Sequence, residues 1–350
     1  MSIITYVGAG QMASALTFPA IDNGHEVRLV GTHLDREIIS EAQETGFHKT
    51  LKRQLKPGIK YYQIEDVRKA LSGADAVLCG VSSFGVDWFA EKILPILPDG
   101  VPLLSMTKGM LDMEDGSMIT YPRYFEEKLP AGKRVSINAI GGPCTSYELA
   151  DYDNSAVAFC GRNVDTLRFL KALLSTPYYH INLSTDVTGV ECAVALKNAY
   201  ALGVSLAIGL AEKREGIGVQ HYNSQAALFG QSVKEMKHLL QIVGGGEENI
   251  VYGAGDLYVT IFGGRTRKIG TLLGRGLSFD QAMAELKGLT LESVVIATRT
   301  ARAVRRLAKR GVVPLSDFPL LMHVDEIINH GAEVNIPWKA FETETITVCD

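Results

Sequence analysis

Short apolar runs rich in β-branched residues alternate with segments of helical periodicity through the N-terminal half of the chain. Residues 3–7, 26–30, 76–81, 101–105, 135–140 and 155–159 read as strands. Residues 11–23 and a stretch near 66–71 read as helices, with Gly24 suited to cap the first. Several of these strands are apolar at consecutive positions, as strands are when helices cover both faces of a parallel sheet. The alternation predicts a mostly parallel α/β domain. After Asp186 the strand signals fade. Helical patterns follow at 188–213, 220–243, 253–261, 265–273, 279–286 and within 291–310. We therefore expect two domains divided near Thr185: an α/β domain over 1–185 and an all-α domain over 186–350. A chain of 350 residues fits two domains of ordinary size. No low-complexity linker and no internal repeat interrupts it.

Residues 192–211 are almost wholly apolar, yet Lys197 and Asn198 stand near the middle. A lysine there is costly in lipid. The pattern fits a helix buried inside a globular core and no membrane insertion. No signal peptide precedes the first strand. A formal net charge of −4 gives no general affinity for nucleic acid or anionic lipid. Cys79, Cys144, Cys160, Cys192 and Cys349 are scattered and form no CxxC pair, which indicates a reducing, cytoplasmic setting and no zinc site. The eight histidines show no metal-ligand spacing, and no metal is expected. Gly244-Gly245-Gly246 reads as a flexible loop. The arginines between Arg299 and Arg310 recur at three-and-four spacing and read as a solvated helix face.

Gly8-Ala9-Gly10-Gln11-Met12-Ala13 directly follows the first strand and opens a helix. That is the context a dinucleotide fingerprint requires. The first glycine makes the turn, the second lets backbone approach a pyrophosphate, and the small Ala13 lets helix and strand pack. Free amides at the head of the helix face the phosphates. An ordinary strand-to-helix turn is the alternative. The first domain is accordingly expected to be Rossmann-like, with Gly8, Gly10, Gln11 and Met12 on the cofactor. NAD enzymes place an acid about 20 residues further on, for the ribose 2′-OH. Here the second strand runs into Gly31-Thr32-His33, and Asp35 comes late. Thr32, His33 and Arg36 are candidates for a 2′-phosphate, so the cofactor is NADP or NAD, with NADP favoured. The alternative is that all three are solvated loop residues.

Hydride transfer between an alcohol and a ketone needs a group that exchanges the hydroxyl proton and a cation for the developing alkoxide. Lys197 in the buried helix suits the first, because desolvation lowers a lysine's pKa. A snorkelling surface lysine is the alternative. Lys108 follows a strand at the carboxyl edge of the sheet, where ligands bind. Asp256 and Thr260 are four apart and share a helix face. Arg265 follows Gly263-Gly264, a phosphate-type arrangement.

These segments together resemble the NAD(P)-dependent glycerol-3-phosphate dehydrogenases, and their archaeal-type members most. The resemblance spans nearly the whole chain. It rests on the GAGxxA turn, Ser105-Met106-Thr107-Lys108-Gly109, Gly141-Gly142-Pro143 with Glu148, Ala195-Leu196-Lys197-Asn198, Gly255-Asp256-Leu257 with Thr260, and Gly263-Gly264-Arg265. It implies a reversible reduction of dihydroxyacetone phosphate to glycerol phosphate, in the chemistry of glycerophospholipid metabolism. By it, Lys197 is the general acid/base, Lys108 the second lysine, and Asp256 and Thr260 orient lysine and substrate. Asn198 would hold a substrate oxygen. Arg265, with Thr266 beside it, would grip the substrate phosphate and approach the cofactor. Lys108, Phe84 and Ser146 would also contact the cofactor.

Three positions depart from the family pattern. Thr266 stands where Asn is usual, Ile296 falls where a Glu is usual in Val294-Val295-Ile296-Ala297, and Cys144 replaces a Ser. Two further readings stay open: a related dehydrogenase acting on another phosphorylated polyol or a 3-hydroxy acid, and a non-catalytic NAD(P)-binding regulatory protein. Sister hydroxyacid families tend to carry Lys-x-x-Asn, whereas Lys197 and Asn198 are adjacent. Intact Lys108, Lys197 and Asp256 speak against the regulatory protein. A homodimer is the expectation from base rates.

Overall fold

The computed structural model describes residues 1–342; Cys349 and the end of the 186–350 segment lie outside the described residues. The chain forms two compact units. The first comprises Met1–Gly109, Ile119–Val194 and Gly244–Asp256. The second comprises Met110–Met118, Ala195–Val243 and the described residues from Leu257 to 342.

The first unit is built on an eight-stranded sheet. Its order from one edge is Tyr179–Ser184, Ser155–Gly161, Ser136–Gly141, Pro102–Ser105, Ala76–Cys79, Ile3–Val7, Glu26–Val30 and Lys60–Tyr62. Every pairing is parallel except that between Ser136–Gly141 and Ser155–Gly161. The central strand Ile3–Val7 sets Ile4 opposite both Val27 and Ala76. Ile4, Tyr6, Leu29, Leu78 and Leu104 have no exposed surface. From Ile3–Val7 the chain steps to one side, to Glu26–Val30 and Lys60–Tyr62. It then returns to Ala76–Cys79 on the other side. The carboxyl ends of Ile3–Val7 and Ala76–Cys79 thus flank the topological switch point, where open α/β sheets bind ligands.

The structure departs from the sequence expectation at identifiable places. The helix expected over 11–23 is two pieces, Gln11–Ala15 and Thr17–Asp22. Pro19 is the cause: it has no N–H to donate to the Ala15 carbonyl, and its ring crowds that carbonyl. Strands Lys60–Tyr62 and Tyr179–Ser184 were not anticipated. The Gly244-Gly245-Gly246 segment is pinned rather than free. The Gly246 amide donates to Asp186 at 2.7 Å, and a Cβ on Gly245 would lie 2.6 Å from the Gly189 Cα.

The second unit is helical. The helix Val187–Glu215 begins in the first unit and continues into the second. It is apolar enough to cross a bilayer by composition, but most of it is buried within the protein. Gly209 and Gly274 let it touch the helix Gly264–Gly274 backbone to backbone; a Cβ on Gly274 would lie 2.2 Å from the Leu206 oxygen. Glu235, on Tyr222–Ile242, accepts from Gln231 (2.7 Å), from the amides of Leu320 (2.8 Å) and Leu321 (3.0 Å), and from the Tyr200 hydroxyl (3.1 Å). It therefore ties the head of the helix Pro319–His330 to the unit's centre. The arginine face of Glu292–Lys309 is ion-paired and not merely solvated. Arg302 and Arg306 both reach Asp112, and Arg305 reaches Asp325 and Glu326.

Candidate active site

Gly8 leaves the first strand at φ +107°, a conformation L side chains rarely adopt. Its amide donates to the Val30 carbonyl at 2.8 Å. A Cβ on Gly8 would lie 2.7 Å from the Gly80 carbonyl carbon, and one on Gly80 would lie 2.5 Å from the Ala13 Cβ. Two strand ends and the first helix therefore meet at hydrogen-only positions. Gly10 differs: its φ is −70°, and a Cβ there would meet only the Gly80 oxygen, at 3.8 Å. No side chain caps the helix that Gly10 opens. Its first amides are left for an anion, so this cradle fits a pyrophosphate.

Two side chains outside the set of candidate cofactor residues secure the turn. His48 is fully buried; Leu51 N–H donates to its Nδ1 at 3.1 Å, so its Nε2–H donates to the Ala9 carbonyl at 2.9 Å. Asp35 folds back, and one oxygen accepts from the amides of Ala9 (3.2 Å) and Thr32 (2.8 Å) and from the Thr32 hydroxyl (2.8 Å). Asp35 is thus engaged by the turn itself. Thr32 is buried and His33 is exposed, its ring centre 5.8 Å from that of Trp88. Arg36 is already engaged by Glu65. Gln11 donates to the Thr50 carbonyl at 2.7 Å and lies 3.4 Å from the Ser146 hydroxyl, with Met12 half-buried beside it. Phe84 is exposed on the 3-10 turn Ser83–Gly85, just past the strand Ala76–Cys79.

At the same sheet edge Lys108 follows Pro102–Ser105. Thr107 fixes its start by donating to the Val81 carbonyl at 2.6 Å. The Lys108 ammonium donates to the Gly142 carbonyl at 2.9 Å and to Asp256, which has no exposed surface. A buried carboxylate is tolerable because this cation partners it. Asp256 stands on the helix Ile250–Ile261, with half-buried Thr260 one turn further on the same face.

In the second unit Lys197 and Asn198 are half-buried on the long helix, between fully or nearly buried Leu196 and Ala199. The Thr266 hydroxyl reaches Asn198 Oδ1 at 3.5 Å. Arg265 is exposed in the first turn of Gly264–Gly274, after Gly264 at φ +78°. Ile296 is buried, as an apolar residue at that position should be. Cys144 packs against the hydrophobic core of the first unit.

Models of the NAD-dependent glycerol-3-phosphate dehydrogenase N-terminus and C-terminus match residues 3–166 and 186–338. The chain belongs to this family. It is accordingly an NAD(P)-dependent oxidoreductase. Among its relatives, the NADP(+)-dependent glycerol-3-phosphate dehydrogenase of Archaeoglobus fulgidus is 33% identical over 95% of this chain and 96% of that protein. Two solved structures share the fold: glycerol-3-phosphate dehydrogenase of Coxiella burnetii (TM-score 0.77, 24% identical, 97% of each chain) and that of Plasmodium falciparum (TM-score 0.82, 20% identical, 99% of this chain and 96% of that one). The glycine turn and the Lys108 and Lys197 segments are this dehydrogenase chain's candidate machinery. Gly80, Asp35 and His48 are additions that only folding reveals.

Proposed function

We propose that the chain interconverts dihydroxyacetone phosphate and glycerol 3-phosphate with NADP or NAD. The observation that carries this is the buried Asp256 holding Lys108 at the carboxyl edge of a sheet whose switch point is lined by Gly8 and Gly80. Gly8, Gly10, Gln11 and Met12 would hold the pyrophosphate, and Phe84 and Ser146 the nicotinamide end. The dinucleotide supplies or accepts the hydride. Lys197 gives the proton to the developing alkoxide and takes it back in the reverse direction. Lys108 is a second cation of the kind that favours negative charge on a developing alkoxide. Asp256 keeps Lys108 in place, Thr260 and Asn198 orient the substrate's oxygens, and Arg265 grips its phosphate with Thr266 beside it.

NADP is the favoured cofactor. Thr32 and His33 would flank a 2′-phosphate, and the A. fulgidus relative is named for NADP. Arg36 must leave Glu65 to take part. A second reading draws on Thr266, which stands where the family usually has Asn: the substrate is then another phosphorylated polyol. No disulfide joins the four described cysteines, which supports a cytoplasmic, reducing setting. A homodimer is the proposed assembly, and the proposed domain boundary lies near Thr185.

The test is to mix purified protein with dihydroxyacetone phosphate and NADPH, then NADH, and follow the loss of reduced-cofactor absorbance. Turnover with a lower KM for NADPH is expected. A lower KM for NADH overturns the NADP preference. Turnover only with another sugar phosphate selects the second reading, and cofactor binding without turnover of any selects a regulatory protein.

A further inference from the structure

Lys197 is not the only charged side chain in the buried part of the long helix. Glu191, six residues earlier, has no exposed surface, and neither carboxyl oxygen has a hydrogen-bond partner. Buried polar groups are almost always paired, so an orphan requires a reason. An ionised carboxylate without a donor is strongly disfavoured in a dry interior. Burial pushes its pKa up to about 8, while the positive charge of Lys108 acts in the opposite direction. At neutral pH the proton is its partner.

The turn that carries Glu191 packs beside the residue that holds Lys108. A Cβ on Gly141 would lie 2.5 Å from Val190 Cγ1 and 3.1 Å from Val194 Cγ1. The next carbonyl, that of Gly142, accepts from Lys108. Val190 shares a buried cluster with Ala139, Ala158 and Cys160. The other titratable groups around it carry little free charge. Burial raises the thiols of Cys160 and Cys192 far above their usual range, and the charges of Glu191 and Asp186 add to this. Asp186 is engaged by the amides of Gly189 (2.8 Å) and Gly246 (2.7 Å) and by the Asn249 amide group (2.7 Å). Asp256 is engaged by Lys108 itself.

We propose that Glu191 is a positioning residue for Lys108. While Glu191 keeps its proton, Asp256 is the charged partner that holds the ammonium. When Glu191 loses it, the new carboxylate competes for the ammonium and draws Lys108 out of its working place. The idea rests on the reading of Lys108 as part of the reductase site. It makes the enzyme's alkaline limit a property of a side chain that touches no substrate.

The test compares wild type with Glu191→Gln, which is always neutral and nearly the same shape. With an ionisation at about pH 8, the protonated fraction falls about tenfold between pH 7 and pH 9. The ratio of kcat at pH 9 to kcat at pH 7 should therefore be about tenfold higher in Glu191→Gln than in wild type. Equal ratios overturn the proposal; a merely structural Glu191 would give them. A second measurement needs no turnover. The pH dependence of thermal unfolding is recorded for wild type, Glu191→Gln, Lys108→Met and the double variant. Lys108→Met should move the Glu191-dependent step upward by roughly half a pH unit or more, and Glu191→Gln should erase it. An unmoved step overturns the coupling. If wild type reduces no ketone phosphate, the functional reading fails alone, and the unfolding cycle still decides whether Glu191 and Lys108 are coupled.

Discussion

Gly8 and Gly10 belong to one turn, yet alanine at each should fail differently. At Gly8 the new methyl would lie 2.7 Å and 2.8 Å from the Gly80 carbonyl carbon and oxygen, and 3.0 Å from the Val81 nitrogen. These are backbone atoms beside a central strand and cannot rotate away. A positive φ costs an L residue roughly 1–2 kcal/mol. Forcing a methyl into packed structure costs roughly 1–3 kcal/mol more. The smaller entropy of the unfolded alanine chain returns about 0.4–1 kcal/mol. The net is a loss of about 1–5 kcal/mol, a fall in Tm of roughly 2–20 °C for a unit of about 200 residues. Gly10→Ala meets no such wall, since its φ is ordinary and its nearest neighbour is 3.8 Å away. It should keep the wild-type Tm within about 2 °C, because a change away from packed features stays within about 0.5 kcal/mol. Its methyl would point to where the pyrophosphate must approach, so NADPH binding should weaken by about tenfold or more, or about 1.4 kcal/mol. Differential scanning calorimetry gives the first quantity and quenching of reduced-cofactor fluorescence the second. Gly8→Ala with a wild-type Tm, or Gly10→Ala with a wild-type Kd, would refute the division of labour.

Three further outcomes are expected. Lys197→Ala should lower kcat by at least about a hundredfold, the usual contribution of a positioned acid/base, while NADPH binding is kept; full activity would end its assignment. Burial raises Glu235 to about 7 against its four hydrogen bonds. Its contribution to stability is complete below the unfolded pKa near 4.5 and is lost as pH rises through about 7, a change of about 3 kcal/mol. Glu235→Gln should flatten that slope in unfolding curves taken from pH 4.5 to 8, and parallel curves would count against it. Glu65→Gln should free Arg36 and tighten NADPH by about two- to fivefold, the scale of an exposed ion pair; an equal change for NADH would show that Arg36 does not read the 2′-phosphate.

What was legible in the sequence was what local pattern encodes. Ile3–Val7 and Glu26–Val30 were read end to end, because apolar runs there stop at turn residues. The long helix was read within two residues at each end. Lys60–Tyr62 was not, because a short edge strand of sequence KYY carries no apolar run. The partners of the arginine face were also invisible: Asp112 lies 190 residues before Arg302. The same holds for Gly80 and His48. Nothing in their neighbourhoods distinguishes them until the strand ends and the Ala9 carbonyl come beside them.

Three buried acids show where pattern reading ends. Asp256, Glu235 and Glu191 all sit on helices with no exposed surface. Nothing local in the sequence sets Glu191 or Glu235 apart as buried. The surroundings of each are not visible either, because they depend on what folding brings to the carboxylate. Asp256 is given a lysine. Glu235 is given two amides at a helix head, a hydroxyl and a carboxamide. Glu191 is given nothing but a nearby cation and its own proton. The first two arrangements give the carboxylate hydrogen-bond partners and fix geometry, although burial still raises Glu235 to about 7. The third leaves a buried acid with no donor at all, next to a pair whose geometry depends on charge. A core residue selected only for stability would not be an acid without donors, since an apolar side chain of similar size removes the desolvation cost altogether. Its position beside Lys108 is the physical reason to assign it to the reaction and not to the fold.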